Sequence, residues 1–135
     1  MRTAIIVVVT LVVLTFMVSV ANCSRSEPTS APAPVPTATT KDPAAARKLI
    51  AAGAVVIDVR TPGEFAEAHL PNATNLPLDT IGEHLTDVDK LVDGDKARAI
   101  VLYCAAGSRA AKAKRVLDAA GYLRVVNGGG LDDLR

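Results

Sequence analysis

Apolar residues fall along this chain in three ways. Residues 4–20 form one run interrupted only by Thr10, Thr15 and Ser19. Residues 54–59 and 99–103 are short, nearly all-apolar stretches followed by polar or proline-containing segments, the pattern of strands covered on both faces. Residues 73–76 and 123–126 predict two further short strands. Elsewhere apolar positions recur at three and four residues, as a helix requires. Ala46, Leu49 and Ile50 give one such face. Ala110, Ala113, Val116, Leu117 and Ala120 give another, with Lys112, Lys114 and Arg115 turned outward as a solvated, mildly positive face.

Local chemistry punctuates these elements. Asp42 as N-cap, with Pro43 in the first position, opens the first helix, and Gly53 stops it. Thr61-Pro62-Gly63-Glu64 is a capping box. Phe65, Ala68 and His69 follow at helical spacing, and Pro71-Asn72 breaks that helix; His69 is expected half-buried, pinning a turn, and His84 on the surface. Residues 80–83 read as a second capping box opening a helix to about 87. Residues 93–96 predict a polar turn, Gly121 the end of the 110–120 helix, residues 127–130 a sharp turn, and residues 131–135 a short tail with a helical turn. Short strands alternating with helices imply an α/β fold, a central parallel sheet flanked by helices on both faces. Ligands in such sheets bind off the carboxyl ends of the strands, where Asp58, Arg60 and Cys104 fall.

The apolar run at 4–20 follows Arg2 and precedes small residues, the layout of an export signal over 1–23. Ser19-Val20-Ala21 fits cleavage after Ala21. Val20-Ala21-Asn22-Cys23 resembles a lipobox, with Cys23 lipidated. An uncleaved anchor is the third reading, the run being slightly shorter than the roughly 20 residues of a spanning helix. All three place the domain outside the cytoplasm, periplasmic or membrane-tethered, with the membrane involved only through this segment. Residues 24–40, with Pro28, Pro32, Pro34 and Pro36 among Ser, Thr and Ala, read as a disordered, polyproline-leaning spacer. A spacer directly after Cys23 suits a tethered domain, which favours the lipoprotein.

The 135 residues leave room for one small domain, 41–135. Two Phe, two Tyr and no Trp predict a tight aliphatic core. A formal charge of +1 carries no nucleic-acid footprint. Cys23 and Cys104 lie in different segments, so neither a disulfide framework nor a metal cluster is indicated, and His69 and His84 have no neighbours at ligand spacing. No metal and no cofactor are expected.

Candidate chemistry concentrates in Cys104-Ala105-Ala106-Gly107-Ser108-Arg109, between a predicted strand and a predicted helix. Loop and helix N-terminal N–H groups there can point at one anion. They would lower the thiol pKa, and the thiolate is the nucleophile. Gly107 would supply a positive φ for the curl.

With residues 58–65, 69–78, 121–122 and 128–131, this loop makes the domain resemble the rhodanese family of sulfurtransferases across 41–135. It departs from the family pattern at Ala68 and Asn72, where glycine is usual, and at Ala105, where many members carry a basic residue. The tryptophan common near the end is missing. The resemblance implies a rhodanese-like fold and a thiosulfate-type sulfurtransferase in which Cys104 carries a persulfide and passes sulfur to cyanide or a thiol. It implies that N–H groups of Ala105, Ala106, Gly107, Ser108 and Arg109 stabilise the thiolate and then the outer sulfur. Arg109 would add charge and anchor the loop, Arg60 would face the anionic donor, and Asp58 would tie down the loop or a neighbouring arginine. Four residues between Cys104 and Arg109 suit a sulfur atom, whereas phosphatase-type relatives have five. A persulfide carrier or redox partner and a non-catalytic binding module are the alternatives. A monomer is expected.

Overall fold

The computed structural model describes residues 40–135. The expected signal segment 1–23 with Cys23, and all but the last residue of the expected spacer 24–40, lie outside the described residues. In chain order the elements are α1 Pro43–Ala51, β1 Val55–Asp58, α2 Pro62–Glu67, β2 Ala73–Asn75, α3 Leu85–Leu91, β3 Ile100–Cys104, α4 Ser108–Ala119, β4 Val125–Gly130 and α5 Leu131–Leu134. The two proline starts form as their chemistry dictates. Asp42 Oδ1 accepts the Ala45 N–H at 2.9 Å, and Thr61 and Glu64 cap one another's backbone at the start of α2.

The four strands pair in parallel in the order β2-β1-β3-β4. Alternation along the strands separates two cores. Ile57, Ile100, Leu102 and Cys104 pack with Val88 of α3 and with Ala110, Ala113 and Leu117 of α4. Val56, Val101 and Tyr103 pack on the other side with Ala46 of α1 and with Leu131 and Leu134 of α5. Helices therefore cover both faces, and the central strand β3 is buried along its whole length.

Four sequence expectations are corrected. Residues 80–83 do not open a helix. Thr80 turns its hydroxyl back to the Pro77 carbonyl at 3.3 Å, and Glu83 N–H closes a tight turn on Thr80 O at 2.9 Å. The helix is α3, displaced toward the chain end so that Leu85, Val88 and Leu91 meet the core. Residues 127–130 are the second half of β4 rather than a sharp turn. There the register steps from Leu102↔Asn127 to Cys104↔Gly130, two residues of β3 against three of β4. That is a bulge, with Gly129 at φ +90° absorbing it. Lys114 is 5% exposed rather than solvated; its ammonium pairs with Asp118 at 2.8 Å, and its side chain is covered along nearly all its length. His69 is exposed, stacked on Phe65 with ring centroids 4.0 Å apart and bonded to Phe65 O at 2.9 Å.

Candidate active site

β3 ends on Cys104, and Gly107 at φ 94° turns the chain directly into α4. Cys104 is 1% exposed, while Ala105 and Ala106 directly after it are exposed. Gly107 N–H donates to Sγ at 3.0 Å. Burial pushes the thiol pKa up, but the N–H groups of Ala110, Ala106, Gly107 and Arg109 outweigh it and hold the thiol below its ordinary value. The α4 N-terminus adds its partial positive charge at the same place. Gly107 thus takes the conformation its sequence context suggests. Ala110, one residue beyond the expected loop, contributes the largest of these N–H effects. Ala105 and Ser108 are exposed.

The loop is held from behind by β4. Asn127 Nδ2 donates to Gly107 O at 3.0 Å, and its Oδ1 accepts Gly129 N–H at 3.0 Å. Gly130 N–H donates to Asp133 at 2.8 Å, and Asp133 pairs with Lys41 at 3.1 Å. Three glycines here serve packing. A Cβ on Gly130 would overlap the Ala105 carbonyl, one on Gly128 would lie 2.9 Å from Leu134 Cδ1, and one on Gly129 would lie 2.6 Å from Asp133 Oδ2.

Arg109 reaches from α4 to α2. Its Nη1 and Nη2 each donate to a Glu64 carboxylate oxygen at 2.7 Å, a bidentate pair about one-third exposed. Thr61 N–H at 3.0 Å and Thr61 Oγ1 at 2.9 Å also donate to Glu64. The Arg109 hydrogen bonds, then those of Thr61, hold the Glu64 carboxyl well below the usual carboxylate range. The guanidinium is raised chiefly by Glu64, with the neighbouring Cys104 thiolate adding to it. Arg109 thus ties the start of α4 to α2, with its charge balanced by Glu64.

Asp58 and Arg60 form a separate buried cluster. Arg60 Nη2 lies 2.6 Å from Asp58 Oδ2 and 2.6 Å from Ala68 O. Its Nε lies 3.0 Å from both Asp58 oxygens, and its N–H donates to Oδ1 at 2.9 Å. The guanidinium sits 5.6 Å from the Tyr103 ring centroid, and burial pushes the Tyr103 phenol up to about 12. The expectation that Arg60 faces an anionic donor is not met. Asp58 is the register partner of Tyr103, and Tyr103 packs in the α1–α5 core whereas Cys104 packs in the other. The expected structural role of Asp58 toward an arginine is the one this geometry provides. Cys23 lies outside the described residues.

Sequence reading missed Glu64, Asn127, Gly130 and Asp133. Glu64 was legible as a cap, but its partner is 45 residues away. The glycine run signalled a backbone in close approach, without saying to what. Chemically, the arrangement is a thiol at the focus of backbone donors that favour its thiolate form and suit negative charge on sulfur or on one atom beyond it.

Residues 42–132 match the family model described as the rhodanese-like domain. Among curated proteins, the thiosulfate sulfurtransferase PspE of Escherichia coli is 36% identical over 78 residues, 58% of this chain and 71% of that protein. A sulfurtransferase of Allochromatium vinosum is 34% identical over 73 residues, 54% of this chain and 63% of that protein. Among solved structures, a rhodanese with anions from E. coli matches at TM-score 0.54 and 34% identity, covering 60% of this chain and 91% of that one.

Proposed function

The chain belongs to the rhodanese-like domain family, and from that premise we propose that it is a thiosulfate-type sulfurtransferase working through a persulfide on Cys104. The observation that carries this is the Cys104 sulfur at the focus of the Ala106, Gly107, Arg109 and Ala110 N–H groups. The Cys104 thiolate attacks the outer sulfur of thiosulfate. The S–S bond of the donor breaks, sulfite leaves with the bonding pair, and Cys104 holds a persulfide anion. Cyanide or a thiol then attacks the outer sulfur and the Cys104 thiolate departs. No general base is needed once the thiol is ionised, the form that the loop donors favour. The loop donors are in place for both charge states, so the barrier contains little reorganisation.

The full-length protein in mild detergent, incubated with thiosulfate at pH 7, should gain the mass of one sulfur atom. Sulfite should be released, thiocyanate should form with cyanide, and Cys104→Ser should abolish all three. Loading without turnover would favour the carrier reading. No loading of a folded protein with a titratable thiol would leave only the binding module.

The same proposal places the domain outside the cytoplasm, tethered through lipidated Cys23. Mass spectrometry of the membrane fraction should find a diacylglyceryl adduct on Cys23, and a protein beginning at a free Asn22 would rule it out.

A further inference from the structure

The Cys104 loop carries no unbalanced charge of its own beyond the sulfur. Ala105, Ala106, Gly107 and Ser108 are small and neutral. Among the described residues, the cations that reach the loop are each matched by a carboxylate. Arg109 is held bidentately by Glu64 at 2.7 Å. Lys41, which packs against Gly107 and Gly129, is paired with Asp133 at 3.1 Å. Arg60 is paired with Asp58 inside the α1–α5 core. Lys112 and Arg115 are exposed farther along α4.

Of these pairs, only Glu64–Arg109 joins a loop residue to a carboxylate on another element. Arg109 contributes its N–H toward Cys104 Sγ, and its guanidinium is close enough to feel the thiolate. A donor approaching the sulfur comes near a guanidinium whose charge Glu64 balances. The attraction left for a doubly charged donor is that of backbone dipoles and of an arginine whose charge Glu64 offsets.

Resting on the sulfur-transfer reading, we propose that Glu64 is a specificity-determining residue which, by balancing Arg109, sets how far the site discriminates against dianionic sulfur donors in favour of donors of low charge. Thiosulfate is the dianionic case. A small alkyl hydropersulfide, uncharged in its protonated form, is the low-charge case. With the second donor the thiolate attacks the terminal sulfur, the S–S bond breaks, and the alkyl thiolate leaves with the bonding pair. Cys104 then holds a protonated persulfide. The two reactions share their nucleophile and bond changes and differ in the charge brought to the loop, so their ratio reports the loop's charge balance.

Glu64→Gln separates charge from architecture. Glutamine satisfies a capping box as glutamate does, and it still offers Arg109 an acceptor. Second-order rates of Cys104 loading would be measured by intact mass with thiosulfate and with the alkyl hydropersulfide, for the wild type, Glu64→Gln and Glu64→Gln/Arg109→Gln. Glu64→Gln should raise the thiosulfate-to-hydropersulfide ratio about 3- to 10-fold at low salt, one uncovered charge acting on a dianion near a wet surface. The gain should shrink at high salt. The double variant, with neither charge, should return the ratio to the wild-type value. An unchanged ratio in Glu64→Gln, or equal slowing with both donors, overturns the proposal and leaves Glu64 as an anchor only. Failure of both donors to load the wild type is a different result, which removes the sulfur-transfer reading and this proposal with it.

Discussion

Asp58→Ala should lower the unfolding free energy by about 3–5 kcal/mol, the loss typical of breaking a buried ion pair from one side. Asp58 is 0% exposed and the Arg60 side chain 8%. The carboxylate receives the Arg60 Nε, Nη2 and backbone N–H. Removing it leaves a guanidinium enclosed with only the Ala68 carbonyl and the Tyr103 ring for company. A domain of this size has about 5–15 kcal/mol in total, so the variant should sit near its folding threshold. Guanidinium titration followed by circular dichroism gives the number. Asp58→Asn should lose less, since an acceptor remains. Asp58→Ala/Arg60→Met should recover much of the loss by removing the stranded charge. An Asp58→Ala variant within 1 kcal/mol of wild type, on the scale of an exposed pair, would mean that water reaches the cluster.

Gly130→Ala should act on chemistry more than on stability. Gly130 has φ −90° and ψ 165°, values open to alanine. The obstacle is spatial, because the new Cβ would press on the Ala105 carbonyl oxygen and lie 3.2 Å from its carbon. Both partners are backbone, so no side chain can swing away. Either β4 or the Cys104 loop must move. Overpacking of this kind costs about 1–3 kcal/mol. A shift approaching 1 Å at the loop can cost about 100-fold in rate, so Cys104 sulfur loading should fall by about 10- to 100-fold. Gly63→Ala is the control, since a Cβ there meets nothing within 4 Å and the position is helical. Its loading should match wild type. If Gly130→Ala loads sulfur as fast as Gly63→Ala, β4 does not set the loop.

These two positions mark what could and could not be read from the chain. The Cys104 loop was legible because its cues are local: an apolar strand, small residues and a helix start follow one another directly. The proline-led helices were legible for the same reason. The β4 glycines were misread because a glycine run is locally indistinguishable from a turn; the reason for Gly130 is the Ala105 carbonyl, 25 residues earlier in the chain. Arg60 was misplaced because nearness to a strand end says nothing of the face, and face depends on the β1–β3 register. Thr80 carried the letters of a cap, but the apolar spacing of Leu85, Val88 and Leu91 decided where the helix formed. Lys114 was assigned by charge, whereas most of its length is hydrocarbon.

The depth of the Cys104 sulfur has a consequence of its own. At 1% exposure it should react with slim electrophiles faster than with broad ones. Crosslinking two copies would require their Cα atoms to come within about 7 Å, which a sulfur at 1% exposure disfavours. Burial of this kind would favour small sulfur compounds over a second protein's cysteine as partners of Cys104.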